Sequence, residues 1–184
     1  MLTTDRLTLR NWNDDDLAPF AAMNADPAVR EFFPGLLTKE ESDASARRAK
    51  AAIERDGFGM FAAELRGAAE FIGFIGLSRI DLAIPGIAQP AVEIGWRLAR
   101  AYWGKGLATE GGRVLARYAF ETLRLKEIVA ITVPANLRSR RVMEKLGMAH
   151  MPALDFDHPR IPTGHPLRRH VLYLLANDAA FTRP

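Results

Sequence analysis

The 184-residue chain contains no cysteine and only 3 tyrosines, and its formal net charge is just +3. It also has no apolar run of bilayer length. Each shortage excludes something. Without thiols there are no disulfides, no thiolate metal sites and no cysteine nucleophile. Without about 20 consecutive apolar residues no membrane-spanning helix is predicted. The opening MLTTDRLTLR is too polar for a secretion signal, which points to a cytoplasmic protein. What is present is ordinary for a globular domain: 48% apolar residues, 26% charged, and 10 Phe and 3 Trp spread along the chain. That composition supports a sizeable core and argues against disorder.

The charge is unevenly placed. Between Arg97 and Lys145 there are eleven Lys or Arg against four Glu, whereas the remainder carries fourteen basic and eighteen acidic residues. A basic middle segment suits an anionic ligand, or it decorates two exposed helix faces. The acidic remainder, with its run Asp14, Asp15 and Asp16, suits a cationic small amine.

Residues 7–12 alternate apolar and polar side chains, as a half-buried strand does. Asp14 is placed to cap a helix reaching about Asn24, with Leu17, Phe20, Ala21 and Met23 at helical spacing. Thr38, Lys39, Glu40 and Glu41 form a capping-box sequence, and the helix it opens should stop at Gly57. Residues 58–65 and 71–80 read as an antiparallel hairpin turning at 66–69. The stretch 84–90, with Pro85, Gly86 and Pro90, reads as a loop. Then follow a strand over 91–98, a helix over 107–123, a strand over 127–133 and a helix over 137–146. Asn136 should cap that second helix and Gly147 should close it. The Pro- and His-containing stretch 157–166 leads into a last strand at 170–175. Hairpin strands followed by a β-α-β-α unit predict one α/β domain over 1–184, a mixed sheet with helices on both faces.

The chemistry concentrates between Glu93 and Gly147. Trp103, Gly104, Lys105, Gly106, Leu107, Ala108 and Thr109 lie between a strand and a helix. Two glycines allow close backbone approach, and a helix start leaves N–H groups unpaired. With the helix dipole and Lys105 they make a site suited to phosphate. The ATP-binding pattern G-x-x-x-x-G-K-[ST] is missing. A dinucleotide fingerprint would need glycine where Thr109 stands and an acid ending the next strand, but Glu127 begins that strand.

Glu93-Ile94-Gly95-Trp96 running into Tyr102 to Glu110 resembles the acetyl-CoA site of the GCN5-related N-acetyltransferase (GNAT) superfamily. Asn136-Leu137-Arg138-Ser139 and Glu144-Lys145-Leu146-Gly147-Met148 resemble its second signature, and Thr4 to Arg10 is similar to the opening strand of the RimJ/RimL-like branch. The resemblance implies a GNAT fold: a mixed, largely antiparallel central sheet with a splayed strand pair. It implies acetyl-CoA as cofactor, with main-chain groups of Gly95, Trp96, Arg97 and Leu98 pairing with pantetheine. The loop from Trp103 to Thr109 would hold the pyrophosphate. Trp103 stands where most of the superfamily has Gln or Arg, a departure shared with this branch that shifts the work to backbone donors and Lys105. Asn136 would hold the pantetheine arm and Arg141 would meet a nucleotide phosphate.

Acetyl transfer needs a neutral amine, although free amines are protonated near neutrality, so a base is required. Glu93 is the candidate, since the resemblance places its strand beneath the acetyl group and partial burial would raise its pKa. The helix tyrosine of many relatives is replaced by Met143, and the resemblance to RimL-like enzymes implies that Ser139, one turn earlier, is the substitute proton donor to the departing thiolate. With no cysteine available, direct attack in a ternary complex is the natural route.

Each residue also has a plainer role. Glu93 could pair with Arg97 or Arg79, Asn136 could serve as an N-cap alone, and Ser139 could supply helix-start chemistry. Trp96 and Trp103 could be packing. The resemblance implies a primary-amine acceptor, either a protein N-terminal α-amine or a small molecule such as a polyamine or antibiotic, and leaves a homodimer open. Other classes are a silent CoA-binding module and a nucleic-acid-binding module, although no recognition motif supports the latter. His158, His165 and His170 match no zinc spacing. Their segment is expected to shape the acceptor pocket, with Arg168 and Arg169 at its end.

Overall fold

In the computed structural model, which describes residues 1–80, 82, 84, 86, 87 and 89–177, the strand-like segments assemble into one nine-stranded sheet. The strands are β1 (Leu2–Thr3), β2 (Leu7–Arg10), β3 (Met60–Leu65), β4 (Ala69–Arg79), β5 (Val92–Leu98), β6 (Glu127–Thr132), β7 (Ala149–His150), β8 (Phe156–Asp157) and β9 (Arg169–Ala176). They lie in the order β1-β2-β3-β4-β5-β6-β9-β7, with β8 added beside β9. Every pairing is antiparallel except β5 with β6. The helices are α1 (Leu17–Asn24), α2 (Lys39–Asp56), α3 (Leu107–Arg117) and α4 (Leu137–Lys145). Pro85 of the expected 84–90 loop lies outside the described residues.

Alternation along the strands divides the core in two. Leu7, Leu9, Ile75, Leu77, Ile94 and Ala130 pack with Leu107 and Leu115 of α3 and Met143 of α4. The opposite face packs Trp12, Ala62 and the half-buried Phe74 against Phe20 and Met23 of α1 and Ala46 of α2. Helices therefore cover both faces, as the pattern of elements predicts. Gly111 and Gly112 let α3 approach closely. A Cβ at Gly111 would stand 2.5 Å from Ile75 Cδ1, and one at Gly112 would stand 2.8 Å from Leu146 Cδ1.

The local signals act as their chemistry dictates. Thr38 and Glu41 form the reciprocal capping box, and α2 ends at left-handed Gly57. Asn136 caps α4 by accepting from the Ser139 N–H at 3.2 Å.

Two expectations change. The first helix is capped by Asn13 rather than Asp14, and a short 3-10 turn over Asp14–Asp16 precedes α1. The reason is Asp16. Its carboxylate accepts the Asn13 N–H at 2.9 Å and both terminal nitrogens of Arg10 at 2.8 Å. The second change is in the helix expected over 107–123, which is α-helical only to Arg117 and widens into a π turn over Tyr118–Thr122. The Leu123 N–H reaches back to Tyr118 O, and the extra residue per turn buries both Ala119 and Phe120.

Candidate active site

The parallel pair β5–β6 is joined at one register position only, Glu93 with Val129. Beyond it the strands part. Bonds from Ile80 N–H to Ala91 O and from Ala99 N–H to Ile72 O, both 2.9 Å, bracket the β4–β5 ladder. Antiparallel alternation then assigns the odd residues of β5 to β4 and turns the even ones toward the gap. Trp96 presents both its N–H and its C=O there.

This alternation corrects the expected row of pantetheine-pairing residues. The main-chain groups of Gly95 and Arg97 are taken by Gly76 and Phe74 of β4. The Leu98 carbonyl accepts the Trp103 indole N–H at 2.7 Å, leaving only the Leu98 N–H for the gap. The Arg97 side chain runs to the α1–α2 connection, donating to Asn24 Oδ1 at 3.0 Å with its guanidinium 3.9 Å from the Phe33 ring centre. Burial, and then the nearby Arg30 charge, lower its pKa to about 9.

β5 and β6 are each followed by a helix on the same face, so the N-termini of α3 and α4 come to the open end of the gap. Gly104 and Gly106 adopt φ of 72° and 76°, a left-handed turn that L side chains resist. Gly106 caps α3 without any side-chain partner. Among the described residues, no protein oxygen takes the N–H of Gly104, Lys105, Gly106, Leu107, Ala108 or Thr109. Leu107 and Thr109 are buried, so only their main chain is offered to a ligand. Lys105 is exposed, with its ammonium 5.4 Å from the Tyr102 ring centre. Six adjacent unclaimed donors at the positive end of a helix fit a pyrophosphate.

One support of this loop was not visible in the sequence. Arg6 donates to Lys105 O at 3.0 Å and to Glu110 Oε2 at 2.7 Å, while the Thr4 hydroxyl donates to Glu110 Oε1 at 2.5 Å. Burial alone would raise the Glu110 carboxyl, but Thr4 and Arg6 together hold it below its ordinary value. The partners lie about a hundred residues apart in the chain, so no local pattern announces them.

Glu93 starts β5 on the face opposite α3. Glu93 is half-buried, and desolvation lifts its carboxyl to about 7, against a hydrogen bond from the Ile131 main chain that works the other way. Among the described residues neither Arg97 nor Arg79 forms an ion pair with it. The salt-bridge alternative is therefore excluded.

Across the gap, Asn136 donates from Nδ2 to Thr132 Oγ1 at 3.0 Å while capping α4. Ser139 is half-buried, and no protein partner takes its hydroxyl among the described residues. Met143 is buried in the main core, so its position supplies no proton. Tyr173, also buried, donates its hydroxyl to Glu144 at 3.3 Å and accepts from Arg140 at 3.1 Å. Arg141 is exposed on α4, and no described contact draws it to the loop. Trp96 packs against the main core from the partly buried shell.

The α1–α2 connection closes over this end. Arg138 forms an ion pair with Glu31 at 2.5 Å, and its guanidinium lies 4.5 Å from the Trp103 ring centre and 5.7 Å from that of Phe32. Asp16 is 1% exposed and committed to Arg10, so of the acidic run 14–16 only Asp14 and Asp15 are exposed. In the tail, Arg168 is tied to Ile161 O and Thr163 Oγ1, both at 2.9 Å, and His158 and His170 pack with ring centres 5.0 Å apart. Among the described residues no three His, Cys, Asp or Glu side chains gather as metal ligands, and no helix is long and apolar enough to cross a membrane.

A fold with a parted parallel pair and a free helix entry can be compared with known proteins. The family model described as an acetyltransferase (GNAT) domain matches residues 6–149. The uncharacterized protein YkkB of Bacillus subtilis is 32% identical over 148 residues, covering 80% of this chain and 84% of its own length. A GNAT-family acetyltransferase from Bacillus anthracis superposes with a TM-score of 0.78 at 26% identity, covering 95% of this chain and 96% of the other. Two more distant structures share the fold. One is the ribosomal-protein-S5-alanine acetyltransferase of Vibrio fischeri, with TM-score 0.75, 19% identity and 97% of each chain covered. The other is aminoglycoside acetyltransferase AAC(6')-Ib in complex with coenzyme A, with TM-score 0.72, 21% identity and 93% and 95% covered. The chain belongs to the GNAT family of N-acetyltransferases.

Proposed function

We propose that residues 1–184 form one acetyl-CoA-dependent domain that acetylates a primary amine by direct attack in a ternary complex. The observation that carries this reading is the run of six unclaimed N–H groups from Gly104 to Thr109, beside a strand whose Trp96 main chain is also open. Acetyl-CoA supplies an acyl carbon activated as a thioester. The residues of the chain do the rest. The loop N–H groups and Lys105 hold the pyrophosphate, the Trp96 main chain pairs with pantetheine as a further strand would, and Asn136 borders the arm from the α4 side. Glu93 takes the proton that the acceptor ammonium must lose before nitrogen can attack. A carboxyl lifted to about 7 is matched to that task, because a base works best with a pKa near the working pH. As the N–C bond forms and the C–S bond breaks, the free Ser139 hydroxyl hands a proton to the leaving sulfur, and the second proton shed by the acylated nitrogen restores that hydroxyl.

The RimJ/RimL-like reading favours a protein α-amine as acceptor, and the Vibrio fischeri neighbour is named for an alanine of a ribosomal protein. A small-molecule acceptor is the second reading, supported by the aminoglycoside acetyltransferase neighbour and by a half-open cavity described below. The test is thermal denaturation with and without acetyl-CoA, followed by an acceptor screen. A cofactor at a hundred times its Kd should raise stability by about 2.7 kcal/mol. No shift at saturating acetyl-CoA would overturn the site.

A further inference from the structure

A cavity of about 270 Å³ lies between α2 and the adjoining ends of β3 and β4. That is close to the small end of the roughly 300–1,000 Å³ typical of ligand pockets, room for an amino-acid-sized molecule. Two features place it beside the proposed base. Ser78, in its wall, is the register partner of Glu93, and directly opposed residues project from the same sheet face. Met60, also in the wall, brings its Cε to 3.1 Å from where a Cβ on Gly95 would stand. Met60 thus reaches from the cavity wall to the face of β5 that carries Glu93.

The lining is cationic. Arg48, Arg55 and Arg79 face one acid, Asp56. Asp56 is already engaged by Arg55 at 2.6 Å and by Arg79 at 4.0 Å. Arg48 has no acidic partner among the described residues. Three guanidinium groups around a small cavity with one shared carboxylate leave a local surplus of two positive charges. Guanidinium groups pair in a planar, two-point fashion with carboxylate and phosphate.

We propose that this cavity receives the acceptor, and that the acceptor is a small amine also bearing an anionic group, a carboxylate or a phosphate, held by Arg48 and Arg79. The inference rests on the acetyltransferase reading above and narrows its substrate class. The amine end passes Met60 and Ser78 to reach Glu93, while the anionic end stays among the arginines.

The test uses matched acceptors: an amino acid against its amide, and phosphoethanolamine against ethanolamine, with spermidine as a cationic control. Acetylation kinetics give kcat/KM for each, and calorimetric titration in the presence of CoA gives binding without turnover. The anionic member of at least one pair should be preferred by about tenfold, and the pair that shows this identifies carboxylate or phosphate. Arg48→Ala should bring that ratio close to one, Arg48→Lys should restore part of it, and the fold should be unaffected because Arg48 is exposed. Neutral or cationic amines acetylated as well as anionic ones would overturn the inference and leave the acetyltransferase reading standing. Anionic amines that bind in an Arg48-dependent way but are never acetylated would uphold the cavity's selectivity and overturn its role as acceptor site. Binding by no member of any pair would overturn the inference outright.

Discussion

Replacing Glu93 by Gln separates the role of the carboxyl from that of its shape. The amide keeps the size and one acceptor oxygen but can neither ionise nor take a proton. With the native carboxyl at about 7, wild-type turnover should fall tenfold per pH unit below that value. The variant depends on amine already neutral in solution, so for an α-amine its limb should move up to about 8. The loss should be on the order of 10²-fold at pH 7 and shrink toward pH 9, where the amine needs no base. Stability gives a second readout, independent of substrate. A folded carboxyl raised from 4.5 to about 7 binds its proton more tightly than the unfolded one. Stability is therefore lost as pH rises from about 4.5 to about 7. The penalty is at most about 3 kcal/mol, an upper bound because the residue keeps some solvent contact. Glu93→Gln should thus melt higher than wild type at pH 8, by up to roughly 5–10 °C, and show little difference at pH 4.5. A loss of turnover equal at every pH, with no pH-dependent gain in melting temperature, would refute both the raised pKa and the base.

Three further changes probe the rest of the site. Gly106→Ala forces a side chain into φ of 76° and should cost about 1–2 kcal/mol in the loop, read as weaker acetyl-CoA stabilisation in the same melting assay. Ser139→Ala should lower kcat at least tenfold with little change in CoA affinity, because its N–H stays bound to Asn136 whatever the side chain; an unchanged kcat removes the hydroxyl from the reaction. Burial lowers the pKa of His158, and Arg160 adds to this; burial likewise lowers His170. The unfolded chain then binds more protons than the folded one, so stability present above about 6.5 is lost as pH falls. Hydrogen-exchange protection factors in the 156–170 segment, referred to the intrinsic rate at each pH, should fall between pH 7 and 5, and His170→Phe, which keeps the stack on Phe156, should blunt that response.

Much of this protein is written locally. The Thr38 capping box, the Asn136 cap, the hairpin around Arg66 and Gly67 and the glycine entry to α3 all depend on residues within four positions of one another, and they form as the sequence predicts. The phosphate-suited loop is legible for the same reason: its donors are consecutive main-chain groups. Glu93 as an isolated acid at a strand start was also legible, but not its freedom from Arg97 and Arg79. What only the tertiary structure decided involves partners far apart or phase along a strand. Which of Gly95, Trp96, Arg97 and Leu98 can face the gap depends on the register with β4, because alternate residues are bonded to it. The Arg6 and Glu110 clamp, the turning of Arg97 toward Asn24 and the arginine-lined cavity each join segments brought together by the sheet. The acidic run 14–16 shows the converse: its composition suggested a cation site, while the fold had already assigned Asp16 to Arg10. Sequence fixes what a residue can offer within a turn or two, and packing decides which of those offers remain unclaimed for a ligand.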